Sequence, residues 1–184
     1  MPSELAPSFL VALDTVLDPN FRRSVVLMLH HDESRGALGL VVNRATDFGL
    51  ADLCENLEIP WHGGSRGHVG WGGPVQPDEG WVLFGGEPLE DVPLESVTAD
   101  LHWSRSQEAL RFVGAHPGLR ARVFLGYAGW GAGQLENEIA QGSWLVVPLD
   151  ETLVFEVPPE ALWEQAIRSL GIDPATLVAT QGVN

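Results

Sequence analysis

The sequence predicts an α+β protein built as a single domain, because helix and strand patterns follow one another without strict alternation. The chain has 184 residues and 45% of them are hydrophobic, which is enough for one substantial core without disulfides or metal. Its 21 glycines and 13 prolines indicate many turns. Since no internal repeat, linker or low-complexity segment interrupts the chain, we expect residues 1–184 to form one domain.

Strands are predicted where apolar and β-branched residues form short runs between turn residues. The runs at 24–30 and 37–43 are joined by a short polar turn, which favours an antiparallel hairpin. The predicted strands cover residues 9–13, 24–30, 37–43, 68–71, 81–84, 96–103, 123–125, 143–147 and 152–157.

Helices are predicted where apolar residues recur on one face or where capping residues begin a turn. Ser104 and Gln107 form a capping box ahead of one helix, and Gly142 and Gly171 follow the last turns of two others. The predicted helices lie at 47–57, between Ser104 and Pro117, ahead of Gly142 and at 160–170, with single turns after Asp18-Pro19 and Asp173-Pro174.

The stretch at 121–149 is the most distinctive part of the sequence. A short apolar strand leads into a glycine-rich loop at 126–133, and a short helix and a second buried strand follow, giving a βαβ-like unit. The loop lacks the spacing of a phosphate-binding motif, and no lysine follows it. Glu136 and Glu138 in the first helical turns would also repel an anion.

Two interpretations of this loop remain open. The simpler one is a tight packed turn, in which glycines allow positive φ or a close approach of two backbones. The alternative is a small pocket with Tyr127 and Trp130 as its floor and Gln134, Glu136 and Glu138 at its rim.

The formal net charge is −15, and all ten basic residues are arginines. These arginines are scattered along the chain, whereas nucleic-acid-binding proteins normally present a basic stripe that neutralises phosphates. We therefore expect neither direct nucleic-acid binding nor binding to an anionic membrane. A cationic or protein partner is compatible with the charge.

The sequence predicts a cytoplasmic location. No apolar run approaches the roughly 18 residues of a transmembrane helix, and the N-terminus has no basic residues ahead of its first apolar run, unlike a secretory signal. The single cysteine, Cys54, fits a reducing compartment and a buried apolar position.

The run His30-His31-Asp32-Glu33 has the composition of a metal-binding cluster but not its geometry. Consecutive residues of a strand point to opposite faces, so His30 and His31 would not reach one ion. The other four histidines show no ligand spacing. We therefore predict no metal site and no cofactor.

Several segments, taken together and in order, resemble the AlgH/YqgE family of bacterial proteins, also called UPF0301. The combination of G-Y-x-G-W and G-Q-L-E with an upstream G-G-P-V is specific, and the resemblance spans nearly the whole chain. The segments are DPNFRRSVV at 18–26, GALGLVVNR at 36–44, GGPV at 72–75, LGYAGW at 125–130, GQLE at 133–136 and LGID at 170–173, with Trp144 and Trp163.

The resemblance implies a single-domain α+β fold whose mixed, mostly antiparallel, bifurcated sheet is rolled into a pseudo-barrel with flanking helices. Family members have been labelled transcriptional regulators, but the resemblance implies no defined biochemical activity. This sequence departs from the family pattern at Asp14, Ala45 and Ala132, where the family commonly has proline. Each departure removes a restraint on φ, so these loops need not keep the family geometry.

The leading functional hypothesis is a non-enzymatic cytoplasmic regulator that binds a protein or a small molecule. No nucleophile–base pair, metal spacing or cofactor loop can be assembled from the sequence. Its distinctive residues are instead aromatic, amide and glycine residues, which binding surfaces use. The sequence specifies neither the partner nor the oligomeric state.

Two alternatives are weighed against it. An enzyme would use Glu136 or Glu138 as an acid–base group beside Tyr127, Asn43 or Gln134, with its pKa raised by a nearby tryptophan. Direct control of transcription through DNA follows only from the family's label, since the sequence shows no helix-turn-helix and its charge is unfavourable.

One binding region is predicted from these features. We expect the loop at 126–133 to pack against the turn at 72–75, leaving a glycine-lined surface depression whose rim receives polar groups from Asn43 and Arg44. The predicted binding residues are Asn43, Arg44, Gly72, Gly73, Pro74, Tyr127, Gly129, Trp130, Gln134, Glu136 and Glu138.

Overall fold

The structure is a computed structural model that describes residues 5–16, 18–63 and 67–179. Its strands within these ranges are β1 (Ser8–Ala12), β2 (Val25–Asp32), β3 (Gly36–Val41), β4 (Ala45–Gly49), β5 (His68–Trp71), β6 (Val75–Gly85), β7 (Glu95–Thr98), β8 (Leu101–Ser104), β9 (Ala121–Trp130) and β10 (Trp144–Pro148). Its helices are α1 (Leu50–Asn56), α2 (Gln107–Ala115), α3 (Gln134–Ala140), α4 (Glu151–Phe155), α5 (Pro159–Arg168) and α6 (Pro174–Ala179). Over the same ranges, none of the helices is long and apolar enough to cross a bilayer.

The ten strands found in these ranges form one sheet that divides at β9. Its main path runs β10-β1-β2-β3-β9-β6-β8-β7, with antiparallel neighbours throughout. Off this path, β4 pairs with β5, and β5 runs parallel to β9. The predicted α+β class with a bifurcated, mostly antiparallel sheet is confirmed, and the sheet is not closed. The two strands of the predicted βαβ-like unit, β9 and β10, are not neighbours in the sheet, because β1, β2 and β3 lie between them.

The division of the sheet occurs at Gly126, in the middle of β9. Phe124 and Tyr127, three positions apart, both contact the largest apolar cluster, whereas residues on one face of a regular strand lie two or four apart. Gly126 has a φ of 76°, which is accessible to glycine at little cost. Its left-handed conformation shifts the alternation by one position. Strand β9 pairs with β6 as far as Tyr127 and with β3 from Ala128 to Trp130.

Side chains of β1 and β2 alternate between two cores on opposite faces of the sheet. Phe9 belongs to the largest cluster, which α5 covers with Trp163. Leu10 belongs to a second cluster on the other face, to which α3 contributes Leu135. A third cluster lies between β6, β9 and the helices α1 and α2. The continuous apolar runs of these two strands therefore reflect burial on both faces of the sheet.

Two predicted strands are wrong. The segment at 152–157 begins instead as α4, because the Asp150 carboxylate accepts the Thr152 N–H at 3.0 Å and caps a helical turn. This local cap outweighs the strand preference of the β-branched residues that follow. The predicted single strand at 96–103 is a hairpin, because Ala99 and Asp100 form the turn between β7 and β8.

Three predicted boundaries also change. The helix expected at 47–57 begins only at Leu50, because the preceding residues pair with β5 as β4. Helix α2 is capped by Ser106 rather than Ser104, since Ser106 Oγ accepts the Ala109 N–H at 3.2 Å. The loop expected at 126–133 is β-strand up to Trp130, because strands β3 and β6 both pair with it.

Candidate functional site

The predicted contact between the turn at 72–75 and the glycine-rich segment of β9 is confirmed. A Cβ atom on Gly73 would lie 2.1 Å from the Tyr127 carbonyl group, and one on Gly126 would lie 2.2 Å from the Gly73 carbonyl oxygen. Glycine therefore permits this approach of two backbones. Gly72 and Gly73 are buried, however, so the contact lies in the interior and does not form the expected surface depression.

Tyr127 and Trp130 do not form a common pocket floor, because they lie on opposite faces of the sheet. Tyr127 packs against Trp81 with 5.6 Å between ring centroids, next to the cluster covered by α5. Trp130 is 7% exposed and belongs to the cluster on the other face. Gly129 lies beside the Tyr127 ring and is exposed, and Pro74 is exposed as well.

Polar residues at the start of α3 are held by local partners. Gln134 Oε1 accepts the Gly131 N–H at 3.0 Å. His31 Nε2 donates to Glu136 Oε1 at 2.6 Å, and this hydrogen bond lowers the pKa of Glu136. His31 Nδ1 accepts the Leu5 N–H at 3.3 Å. Because both ring nitrogens are engaged, the His31–Glu136 pair ties α3 to β2 and offers no free nitrogen for proton transfer.

Glu138 lies in a drier environment against two tryptophans. Its Oε2 is buried without a hydrogen-bond partner, and so is Trp144 Nε1. Burial raises the pKa of Glu138, while the indole N–H groups of Trp144 and Trp130 oppose this shift. The Trp144 N–H is thus near enough to favour the carboxylate, but it is not aligned as a hydrogen bond.

We expect opposite effects from removing these two charges. A lowered folded-state pKa means that the Glu136 carboxylate stabilises the fold at neutral pH and that this contribution is lost as the pH falls. A raised folded-state pKa means that the Glu138 carboxylate costs stability at neutral pH and that this cost disappears as the pH falls. At about pH 7, Glu136→Gln should therefore lower the free energy of unfolding, and Glu138→Gln should raise it. Both differences from the wild type should become smaller toward about pH 4. Urea denaturation at the two pH values checks this, and changes of the same sign would contradict it.

A polar cleft of about 400 Å³, here called the arginine cleft, lies between the 18–23 turn, the segment after β3 and α5. Three of the ten arginines of the chain line it, although the sequence shows them as scattered. Its lining residues are Arg22, Arg23, Asn43, Arg44, Ala45, Pro159, Glu160, Trp163 and Glu164.

Asn43 fixes the turn that carries two of these arginines. Its Oδ1 accepts the Val25 N–H at 2.8 Å, and its Nδ2 donates to the Arg23 carbonyl oxygen at 2.9 Å. At the other end of the turn, Asp18 acts as the predicted cap, because its carboxylate accepts the Asn20 N–H at 2.9 Å. The Asn43 amide is therefore engaged by the main chain and supports the cleft wall.

Arg23 is held in an unusual backbone conformation at the edge of the cleft. Its φ is 53°, a left-handed value that costs a non-glycine residue about 1 to 2 kcal/mol. Its guanidinium carbon lies 4.8 Å from the centroid of the Trp163 ring, and its Nε lies 3.9 Å from Asp14 Oδ1. Strain of this kind persists where surrounding contacts impose it, which is common at functional sites.

Arg44 is the most desolvated cation of the cleft. Its guanidinium donates to the Arg22 carbonyl oxygen and lies 6.0 Å from the centroid of the Trp71 ring. Burial lowers the pKa of Arg44, and the charge of Asp18 opposes this shift. Arginine keeps its charge under these conditions, so Arg44 presents a partly dehydrated cation that suits a carboxylate or a phosphate.

Helix α5 supplies a second wall of the cleft, which is acidic. Glu160 and Glu164 lie one helical turn apart, on the same side of α5. Neither carboxylate forms an ion pair with Arg22, Arg23 or Arg44. The cleft therefore contains positive and negative groups that do not neutralise one another by direct contact.

Replacing Asn43 with alanine should lower the free energy of unfolding by about 1 to 3 kcal/mol, because the Val25 N–H then loses its partner. Asn43→Asp is the matched control, since it keeps an acceptor for Val25 but replaces the donor to Arg23 with a charged oxygen. Urea denaturation followed by circular dichroism measures both variants. Equal losses would show that the Val25 hydrogen bond is not the important contact.

Three further cavities, of about 240, 300 and 360 Å³, lie elsewhere on the molecule. None of the three contains a residue predicted for the binding region. Glu136 and Glu138 line neither these cavities nor the arginine cleft. In the part of the chain that the structure describes, no group of three or more His, Cys, Asp or Glu side chains could hold a metal ion.

Of the predicted binding residues, the arginine cleft gathers only Asn43 and Arg44. Arg22 and Arg23 lie in the 18–23 turn, for which the sequence predicts a helical turn and a family resemblance but no binding role. Glu160 and Glu164 carry no local signal, because they are ordinary exposed positions of an amphipathic helix. The cleft exists because the fold brings these distant segments together.

Comparisons with known sequences agree with this fold. The family model described as DUF179, AlgH-like, matches residues 9–175. A UPF0301 protein of Myxococcus xanthus (strain DK1622) is 43% identical over 181 residues, which cover 98% of each chain. A UPF0301 protein of Magnetococcus marinus is 40% identical over 176 residues, which cover 95% of this chain and 93% of the relative.

Two solved structures are also similar. The solution structure of the AlgH protein from Pseudomonas aeruginosa matches with a TM-score of 0.80 and 36% identity, covering 97% of this chain and 95% of that one. The crystal structure of a Corynebacterium diphtheriae protein matches with a TM-score of 0.71 and 21% identity, covering 94% and 88%, which shows a shared fold. The predicted family is thereby confirmed: this chain belongs to the AlgH-like, or UPF0301, family.

Proposed function

We propose that this protein is a non-enzymatic cytoplasmic regulator that binds an anionic group of a small molecule or a protein in its arginine cleft. One observation carries the proposal. In a chain with a net charge of −15, three of ten arginines line one cleft and none of them pairs with the carboxylates that share it. Guanidinium groups held in this way are typical of sites that recognise carboxylates and phosphates.

The alternative of an acid–base enzyme has less support. Glu136 is paired with His31, and Glu138 is buried against Trp144 and Trp130. The two carboxylates open into none of the four cavities of the molecule described above. A raised pKa alone, at a carboxylate that lines none of these four cavities, does not favour catalysis.

Direct binding to DNA is also disfavoured. A duplex would bring a run of phosphates past the cleft, which Glu160 and Glu164 line together with the arginines. We expect no measurable duplex binding in a mobility-shift assay at physiological salt. Salt-dependent binding of a duplex at micromolar concentrations would contradict this expectation. If no duplex binds, any regulatory role operates through a small molecule or a protein partner.

Isothermal titration with small carboxylates and with inorganic phosphate tests the proposal. Arg44→Gln should weaken the binding of the tightest anion by about tenfold or more, as expected for the loss of a charge-assisted hydrogen bond. Arg111→Gln is the matched control, because it removes the same charge from an exposed position on α2. Equal weakening in both variants would indicate a general charge effect. The absence of binding by every compound that carries a carboxylate or a phosphate, zwitterions included, would refute the proposal.

A further inference from the structure

We infer that the arginine cleft takes a zwitterion, a small ligand that carries both a carboxylate and an ammonium group, such as an α-amino acid or a short peptide. This inference rests on the proposed function and adds the class of ligand. Its basis is that three arginines and two glutamates, carried by different segments, line one open cleft and are here called the arginine wall and the acidic wall.

The α5 wall favours a cationic group. Helix N-termini usually attract anions through their free backbone N–H groups, but α5 begins with Pro158 and Pro159, and proline has no N–H. The Ala161 N–H is taken up by the Pro158 carbonyl oxygen at 3.0 Å. Glu160 lies in the first turn, with Glu164 on the same side. Few free backbone donors remain at this helix start, and Glu160 and Glu164 present carboxylates there, for which an ammonium group is the natural partner.

The arginine wall is preorganised for an anionic group. Arg44 is anchored through its hydrogen bond to the Arg22 carbonyl oxygen. Arg23 packs on Trp163, whose own Nε1 donates to the Ala12 carbonyl oxygen at 2.8 Å in the interior. Cations held before the ligand arrives lose little conformational entropy on binding.

Neither wall alone explains the cleft. A simple dicarboxylate would be attracted by the arginines but repelled by Glu160 and Glu164. A simple amine would be attracted by the two glutamates but repelled by the arginines. A zwitterion can satisfy both walls at once. The volume of about 400 Å³ lies at the low end of the roughly 300–1,000 Å³ that small-molecule sites occupy, which suits a ligand of amino-acid or dipeptide size.

Matched ligands separate the zwitterion from the anion. The common α-amino acids and their dipeptides with glycine are each titrated beside the acid that lacks the ammonium group, for example L-glutamate beside glutarate. In the wild type, the best zwitterion should bind at least about tenfold more tightly than its deaminated partner, the difference expected for one charged contact.

Variants of the acidic wall give a change of opposite sign for the two ligands. The double change Glu160→Gln and Glu164→Gln should weaken the zwitterion and strengthen the deaminated acid, whereas Arg44→Gln should weaken both. The double change Glu87→Gln and Glu90→Gln, at exposed positions outside the cleft, is the matched control and should alter neither. Circular dichroism establishes that each variant is folded.

The outcomes test the zwitterion inference separately from the proposed anion site. If a deaminated acid binds as tightly as its zwitterion and the Glu160 and Glu164 changes have no effect, the zwitterion inference is wrong while the proposed anion site stands. If no zwitterion and no anion binds, both are wrong. A free amino acid and a peptide are separated by comparing the affinity of each amino acid with that of its dipeptide with glycine. Amidation of the tighter ligand removes its carboxylate and should abolish binding, and unchanged binding would contradict the inference.

Discussion

Replacing Gly126 with alanine should destabilise the protein by about 2 to 5 kcal/mol, the sum expected for overpacking and for a non-glycine residue in the left-handed region. Gly126 has a φ of 76°, and a Cβ atom there would lie 2.2 Å from the carbonyl oxygen of Gly73. That neighbour is backbone in a buried turn, so it cannot move aside as a flexible side chain would. The strand that joins the two parts of the sheet would therefore have to shift.

Gly133 provides the matched control for this prediction. Its φ of 74° is nearly the same, but a Cβ atom there would meet no other atom within 4 Å. Gly133→Ala should therefore cost only the backbone term, about 1 to 2 kcal/mol. Urea denaturation of the two variants isolates the contact between β9 and the turn at 72–75, and equal losses would show that this contact does not govern stability.

Trp130→Ala should lower the free energy of unfolding by about 3 to 5 kcal/mol, as the truncation of a buried aromatic residue usually does. The ring is 7% exposed and packs against Phe21 and Trp144, with centroids 6.5 and 5.9 Å away. Such burial favours a structural role over a binding role for Trp130. Differential scanning calorimetry and urea denaturation measure the loss.

Ligand binding separates the structural role of Trp130 from its predicted binding role. Trp130→Phe keeps an aromatic ring in the second core and should recover part of the lost stability. If that variant is folded, it should bind the ligand of the arginine cleft as the wild type does, because Trp130 does not line the cleft. A stable variant that loses the ligand would restore Trp130 to the binding site.

The fold was largely predictable where local pattern and burial agree. The hairpin of β2 and β3 follows from two apolar runs and a short turn, and Gly142 ends α3 with a φ of 80° as a C-terminal glycine should. The prediction failed where a single polar side chain outweighs propensity. Asp150 converts a β-branched segment into α4, and no apolar period reveals that choice.

The candidate site was predictable only in part, for a physical reason. Asn43 and Arg44 follow a predicted strand, so their place at its end could be inferred. The acidic wall at Glu160 and Glu164 comes from a helix far along the chain. Local sequence patterns do not encode which side of a helix meets a turn across the sheet, so the charges of the cleft became visible only in three dimensions.

Nuclear magnetic resonance tests most directly whether the ligand binds in the arginine cleft. The ¹⁵N-labelled protein is titrated with the zwitterion that binds most tightly in the matched panel, and backbone and indole N–H signals are followed. If the ligand binds there, the largest chemical-shift changes should occur at residues 22–23 and 43–45, at residues 160–164 and at the indole of Trp163. Saturating changes confined to another cavity, such as the one lined by Leu57 and Arg105, would contradict it.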